Sequence, residues 1–263
     1  MKDWNFYSKY RMVIPTTAMR RFYSFLKLYN SNTILQVSKD INASVPKQRK
    51  FADIICQSAT HFSIYSNVEE PFLSENSRRK RLPPVGPEPR FKNTQEVISF
   101  LLKKTMKGAM LKPSNIEREI DPRRTTRAIF DDGRPGRSSG VGGADLVAWD
   151  EVSDKPMVGE IKTRGDENAF YALVQVINYF VEFSTDKQIE RCNRHNLFGK
   201  SLSPTQEFTL AIMFADFNHN STRQIDILEE SKKLATMIEG EFEQIHKIIF
   251  VNIEKSKKDF EIL

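Results

Sequence analysis

From residue 91 onward the apolar positions fall into short blocks, and their spacing switches between the helical and the strand period. Val97, Phe100, Leu101 and Met106 recur at helical spacing behind the capping pair Asn93-Thr94, which predicts a helix over 93–106. Ile116 to Ile120 alternates apolar and charged residues, a strand pattern. Two further strands are expected at 144–149 and 157–163, joined by a polar turn over 150–156. Next come a long helix over 168–183, an apolar strand over 208–214, an amphipathic helix over 223–238 and a final strand over 248–253. Three consecutive strands followed by helix–strand alternation predict an α/β fold, a mixed β-sheet flanked by helices.

The first 76 residues read as a small, mainly helical region. Phe22, Phe25, Leu26 and Tyr29 follow Thr16-Thr17 at helical spacing, and Phe51, Ile54, Ile55 and Ala59 indicate a second helix started near Pro46. Residues 77–90 change character: four consecutive basic residues, Arg78, Arg79, Lys80 and Arg81, precede Pro83, Pro84, Pro87 and Pro89. Proline removes backbone donors and favours extended chain, so this stretch is expected to link the N-terminal region to a domain spanning 91–263.

The chain has 263 residues, 39% of them hydrophobic, which is enough for a core and argues against wholesale disorder. The sequence holds no apolar run of about 18 residues, so no membrane-spanning helix is expected. Met1 to Val13 lacks the apolar stretch of a signal peptide. Two cysteines cannot build a disulfide framework, a four-cysteine zinc site or an iron–sulfur cluster, and the four histidines are scattered and read as structural. A reducing, cytoplasmic setting is expected, or a nuclear one in a eukaryote. The net charge of +6 is uneven. Residues 1–90 hold 15 Lys and Arg against 7 Asp and Glu, whereas residues 91–263 hold 25 against 27. A basic front on a near-neutral body points to a polyanionic partner, because cations that neutralise phosphates release counterions.

The candidate chemistry lies in Gly143-Ala144-Asp145 and, fifteen residues from that Asp, Glu160-Ile161-Lys162. Strand alternation puts Val158, Glu160 and Lys162 on one face and Met157, Gly159 and Ile161 on the other. If the two strands pair as a hairpin, Asp145 approaches Glu160. Two carboxylates converging on a sheet form an oxygen-ligand site for a hard divalent cation, and magnesium, which keeps waters and bridges to phosphate oxygens, suits it. A lysine one step along can hold or activate an attacking water, or offset charge developing on a phosphate. These are the parts of metal-assisted phosphodiester hydrolysis. Glu-x-Lys alone carries little weight, since Glu230-Ser231-Lys232 repeats it on the solvated face of a predicted helix. The first copy sits in an otherwise apolar strand, where a charged pair needs a reason. Its plain structural alternative is an edge strand bearing a salt-bridged pair.

This stretch resembles the PD-(D/E)XK nuclease superfamily, in which an Asp opens one strand and Glu-x-Lys lies in the next, after a helix and strand and before a helix. Ala144 stands where the family name has proline, a position that bears no chemistry. Gln175 and Tyr179 form a Gln-x-x-x-Tyr pair that resembles the extra motif of the RecB-type exonuclease branch, and residues four apart share a helix face. The alternative for this pair is a polar stripe on a solvent face, continued by Tyr171, Asn178 and Glu182. The resemblance covers roughly residues 93–253. It implies a restriction-endonuclease-like fold and a magnesium- or manganese-dependent deoxyribonuclease, either endo- or exonucleolytic. In it Asp145, Glu160 and the Ile161 carbonyl would bind metal, Lys162 would act on the water, and Gln175 and Tyr179 would position DNA or the metal-bound water.

Many members add an acidic residue from the preceding helix. Glu96 is the candidate here, with Glu117 and Glu119 as competitors. Glu96 would otherwise be a first-turn glutamate favoured by the helix dipole. The glycine-supported arginine loop, Arg123, Arg124, Arg127, Arg134 and Arg137, leads into the Asp145 strand. Together with Arg78, Arg79, Lys80 and Arg81 it is a candidate for phosphate contacts. DNA is the expected partner, RNA stays a second option, and residues 1–76 leave room for a homodimer or a protein partner. The competing function is a catalytically silent nucleic-acid-binding protein on the same fold, which would bind DNA salt-dependently without cutting it.

Overall fold

In the computed structural model the described residues are 19, 22, 23, 26, 29–62, 69, 71–72, 82–103, 111–122, 143–163, 168–257 and 260–263. Among the elements described in full, α1 (Ser31–Asn42), α2 (Val45–Phe62) and α3 (Thr94–Lys103) precede the sheet. The spatial order of the six-stranded sheet is the order of the chain. β1 (Pro113–Ile120), β2 (Ala144–Asp150) and β3 (Lys155–Lys162) run as an antiparallel meander. α4 (Ala169–Phe183) and α5 (Asp186–Arg194) then carry the chain to β4 (Phe208–Ala215), parallel to β3. α6 (Thr222–Glu241) leads to β5 (Ile245–Ile253), parallel to β4, and β6 (Glu261–Ile262) closes the edge antiparallel. Parallel neighbours need long crossovers, and the helices supply them. The α/β mixed sheet flanked by helices is the architecture that the apolar pattern predicts.

Both faces of the sheet are covered. Val147, Trp149, Val158, Leu210, Ile212 and Phe250 belong to a core completed by α4 and α6. Leu146, Ala148, Met157, Ile161, Met213 and Val251 belong to a second core completed by α3 and Phe91. The alternation read from β3 therefore holds, with Val158 on one side and Met157 and Ile161 on the other. β3 has β2 and β4 as neighbours, so Glu160 and Lys162 do not lie on an edge strand.

α4 explains the role of the N-terminal helices. All fifteen of its residues are buried, including Gln175, Asn178 and Glu182. A helix that is apolar nearly all round must be covered on the side away from the sheet. α2 packs on α4 and α1 packs on α6. Phe22 meets Phe51 and Phe170 edge-on, and the Asn42 side-chain amide donates to the Glu230 main-chain oxygen at 2.8 Å. Each such buried aromatic or large aliphatic side chain contributes about 1.5–3 kcal/mol. The helical layer and the N-terminal helices share one core. This overturns the polar-stripe alternative for α4, because its polar side chains are buried.

The described part of the proline segment lies along α3. Ser99 Oγ donates to the Pro83 carbonyl at 2.7 Å, Gly86 N–H donates to Glu96 Oε1 at 2.6 Å, and Leu82 and Val85 pack on the second core. Thr16-Thr17 lies outside the described residues. Among the described residues no helix is long and apolar enough to cross a membrane.

Candidate active site

The β2–β3 register pairs Leu146 with Gly159, and one step further along the same register Asp145 lies opposite Glu160. There a side chain takes the next backbone donor: the Ile161 N–H donates to Asp145 Oδ2 at 2.8 Å. Two glycines make this close approach feasible. A Cβ on Gly159 would come within 2.9 Å of Leu146 Cγ, and one on Gly143 within 2.5 Å of the Ile120 carbonyl carbon in β1. β1 contributes to the same row. Glu119 falls between the pairs Arg118–Leu146 and Ile120–Ala144, level with Asp145. Its backbone is left-handed, with φ 51°, a conformation that costs a non-glycine residue on the order of 1 kcal/mol. Of the three upstream glutamates, Glu119 is the one whose charge is felt at Asp145.

Burial pushes the Asp145 carboxyl up from 3.8 to about 6. Lys162 and the Ile161 N–H pull it down, and Glu119 adds to the rise. Glu160 and Lys162 are almost fully enclosed, at 2% and 4% exposure. Two charges removed from water persist only with close partners. The Lys162 ammonium donates to Glu160 Oε1 at 3.0 Å and to Gln175 Oε1 at 2.9 Å, and lies 4.7 Å from the centre of the Tyr171 ring. Gln175 is thus brought from α4 directly to the lysine, as a helix face turned toward the C-terminal end of β3 requires.

These groups line a cleft of about 560 Å³. Thr94 at the start of α3 and Asn168, the cap of α4, also line it. Asn168 accepts from the Tyr171 N–H at 2.9 Å, which fixes the first turn of α4 beside Lys162. Tyr23, Leu26, Tyr29 and Ile34, from the N-terminal part of the chain, line it as well. Tyr23 stacks on Tyr171 with ring centres 4.6 Å apart and planes 18° apart. Burial drives its phenol up to about 12, against the hydrogen bond it shares with Tyr171, while Glu160, Lys162 and Asp145 all act on it electrostatically. Sequence reasoning missed this wall. The one local signal, the apolar stripe from Phe22 to Tyr29, reads as ordinary core.

Other expected residues lie elsewhere. Glu96 does not join the pair, which corrects its assignment as a metal ligand. It is buried at the far side of α3, accepting from the N–H groups of Gly86 and Lys92 at 2.6 and 2.7 Å and pairing with Lys255 at 2.7 Å. Burial works to raise its pKa, but Lys255 and the two backbone donors outweigh it and hold the carboxyl below its ordinary value. Tyr179, one turn beyond Gln175, is fully buried in the core and is not among the residues lining the cleft. Glu117 stands opposite Val147, two residues further from the pair. Arg78, Arg79, Lys80 and Arg81, and Arg123, Arg124, Arg127, Arg134 and Arg137, lie outside the described residues.

Among the described residues no group of three or more His, Cys, Asp or Glu side chains gathers closely enough to hold a metal ion. The donor set at the cleft is the carboxylate pair of Asp145 and Glu160. That set fits magnesium or manganese, which can be held by one or two carboxylates while waters and substrate phosphates fill the remaining positions. Comparison with protein-family models, curated proteins and solved structures finds no match for this chain.

Proposed function

We propose that the protein is a divalent-metal-dependent nuclease that hydrolyses phosphodiester bonds of DNA. The observation that carries this reading is the convergence of Asp145, Glu160 and Lys162, from two adjacent strands, in the lining of one cleft. A buried Glu–Lys pair on a central strand is an expensive way to build a core, since well-packed apolar residues in its place would serve stability as well or better. Its position beside a half-buried carboxylate with a raised pKa is the kind of arrangement that metal and proton chemistry requires.

Asp145, Glu160 and the Ile161 carbonyl would hold the ion, which supplies a Lewis acid at the scissile phosphate and a more acidic bound water. Asp145 is held in place for that task by the Ile161 N–H. Lys162, steadied by Gln175 and Tyr171, places a positive charge where an attacking water and a pentavalent phosphate would sit. Gln175 positions the lysine. Tyr179 would support α4 from within the core.

The test is cleavage of linear, circular and single-stranded DNA by the purified full chain with magnesium, with manganese and with chelator. Cleavage should require the metal and fall by at least about a hundredfold in Asp145→Ala, Glu160→Ala and Lys162→Ala, as expected when several kcal/mol of transition-state stabilisation are lost. Variants that cut as well as the parent would show the site to be misassigned. Salt-dependent binding without hydrolysis under any divalent metal would replace the enzyme with a binding protein.

A further inference from the structure

We infer that the cleft takes a single DNA strand and that the N-terminal wall holds an unpaired base beside the scissile phosphate. This deepens the nuclease reading and rests on it. The lining of the cleft carries two kinds of chemistry. Asp145, Glu160, Lys162 and Gln175 suit a phosphate, whereas Tyr23, Leu26, Tyr29 and Ile34 carry no charge.

Sugar–phosphate backbone has little apolar surface to offer such a wall. The apolar faces of a nucleic acid are those of its bases, and stacking on aromatic side chains is how single strands are held without sequence preference. In a duplex those faces are already stacked inside the helix. A scissile phosphate at Lys162 would then turn sugar and phosphate, not base, toward the tyrosines. The cleft volume of about 560 Å³ has room for a phosphate with its flanking nucleoside.

The two tyrosines divide the work. Tyr23 is 4% exposed and spends one ring face on Tyr171, so it forms the back of the wall. Tyr29 is 38% exposed and lines the cleft. Tyr29 is therefore assigned as the stacking residue.

The test is fluorescence anisotropy of the full-length protein, in calcium, with a labelled oligothymidine and with the same strand annealed to its complement. The single strand should bind at least tenfold more tightly. Tyr29→Ala should weaken single-strand binding by about tenfold or more and leave duplex binding unchanged, whereas Tyr29→Trp should retain it. Equal affinity for the duplex, or a Tyr29→Ala variant that loses nothing or loses equally on both substrates, would overturn the inference. If magnesium yields no cleavage of either substrate the nuclease reading fails, while strand preference and its dependence on Tyr29 still decide the role of the wall.

Discussion

Replacing Asp145 by Asn should make the metal-free protein more stable while abolishing its metal response. Asn keeps an oxygen to accept the Ile161 N–H, so the contact at 2.8 Å survives and only the charge is lost. In the folded protein that charge is disfavoured: the carboxyl rises from 3.8 to about 6, chiefly through burial and despite Lys162. A shift of this size corresponds to about 3 kcal/mol at neutral pH, and solvent screening at a half-buried group reduces it to about 1–2 kcal/mol. The sign follows from proton linkage. The folded state holds this proton more tightly than the unfolded chain, so its contribution to stability is complete below 3.8 and lost as the pH rises through about 6. Asn behaves as a permanently protonated Asp. Urea unfolding in EDTA should therefore show the variant about 1–2 kcal/mol more stable than the parent at pH 7.5, with the gap closing as the pH falls toward 4. With manganese present the order should reverse. The parent gains about 2.7 kcal/mol at a hundred times its dissociation constant, and the variant gains little. A variant less stable than the parent in EDTA, a gap independent of pH, or an undiminished manganese response would refute the argument.

The same proton competes with the metal. Manganese affinity, read by calorimetry, should fall below about pH 6 by roughly tenfold per unit and level off above it. Lys162→Met should destabilise the fold by about 3–5 kcal/mol because it strands the Glu160 carboxylate in a buried site. Adding Glu160→Gln should recover much of that loss, and thermal denaturation of both single variants and the double variant measures the coupling. Glu96→Gln should cost about 3 kcal/mol through its Lys255 pair and leave manganese affinity unchanged, whereas a loss of affinity would return Glu96 to the site.

The sheet was legible because its strands carry their own burial. β4 reads Phe-Thr-Leu-Ala-Ile-Met-Phe-Ala with every residue buried, the continuous apolar run of a strand covered on both faces. Asp145 opposite Glu160 was legible from alternation plus a short hairpin turn. α1 was not: Ile34, Val37 and Ile41 do recur at helical spacing, but Ile34 and Ile41 are its only buried apolar side chains. Its burial depends on α6, about 190 residues away in the chain. α5 was missed for a similar reason, with Ile189 and Cys192 its only buried apolar side chains. Glu96 looked available because its true partner, Lys255, lies 159 residues further on. The tyrosine wall is the same case: Tyr23 meets Tyr171 through tertiary packing, and no local spacing encodes that meeting.

The docking of α1 on α6 also sets a timetable for biosynthesis. A ribosome delivers α1 and the tyrosines well before α6, the surface that α1 rests on, and contacts between distant parts of a chain form late. A nascent chain that has completed β3 already carries the acidic pair and its lysine, without the docked layer that bounds the cleft. The layer that bounds the cleft can therefore dock fully only after α6 has been made, and a product interrupted before that point would carry Asp145, Glu160 and Lys162 without it.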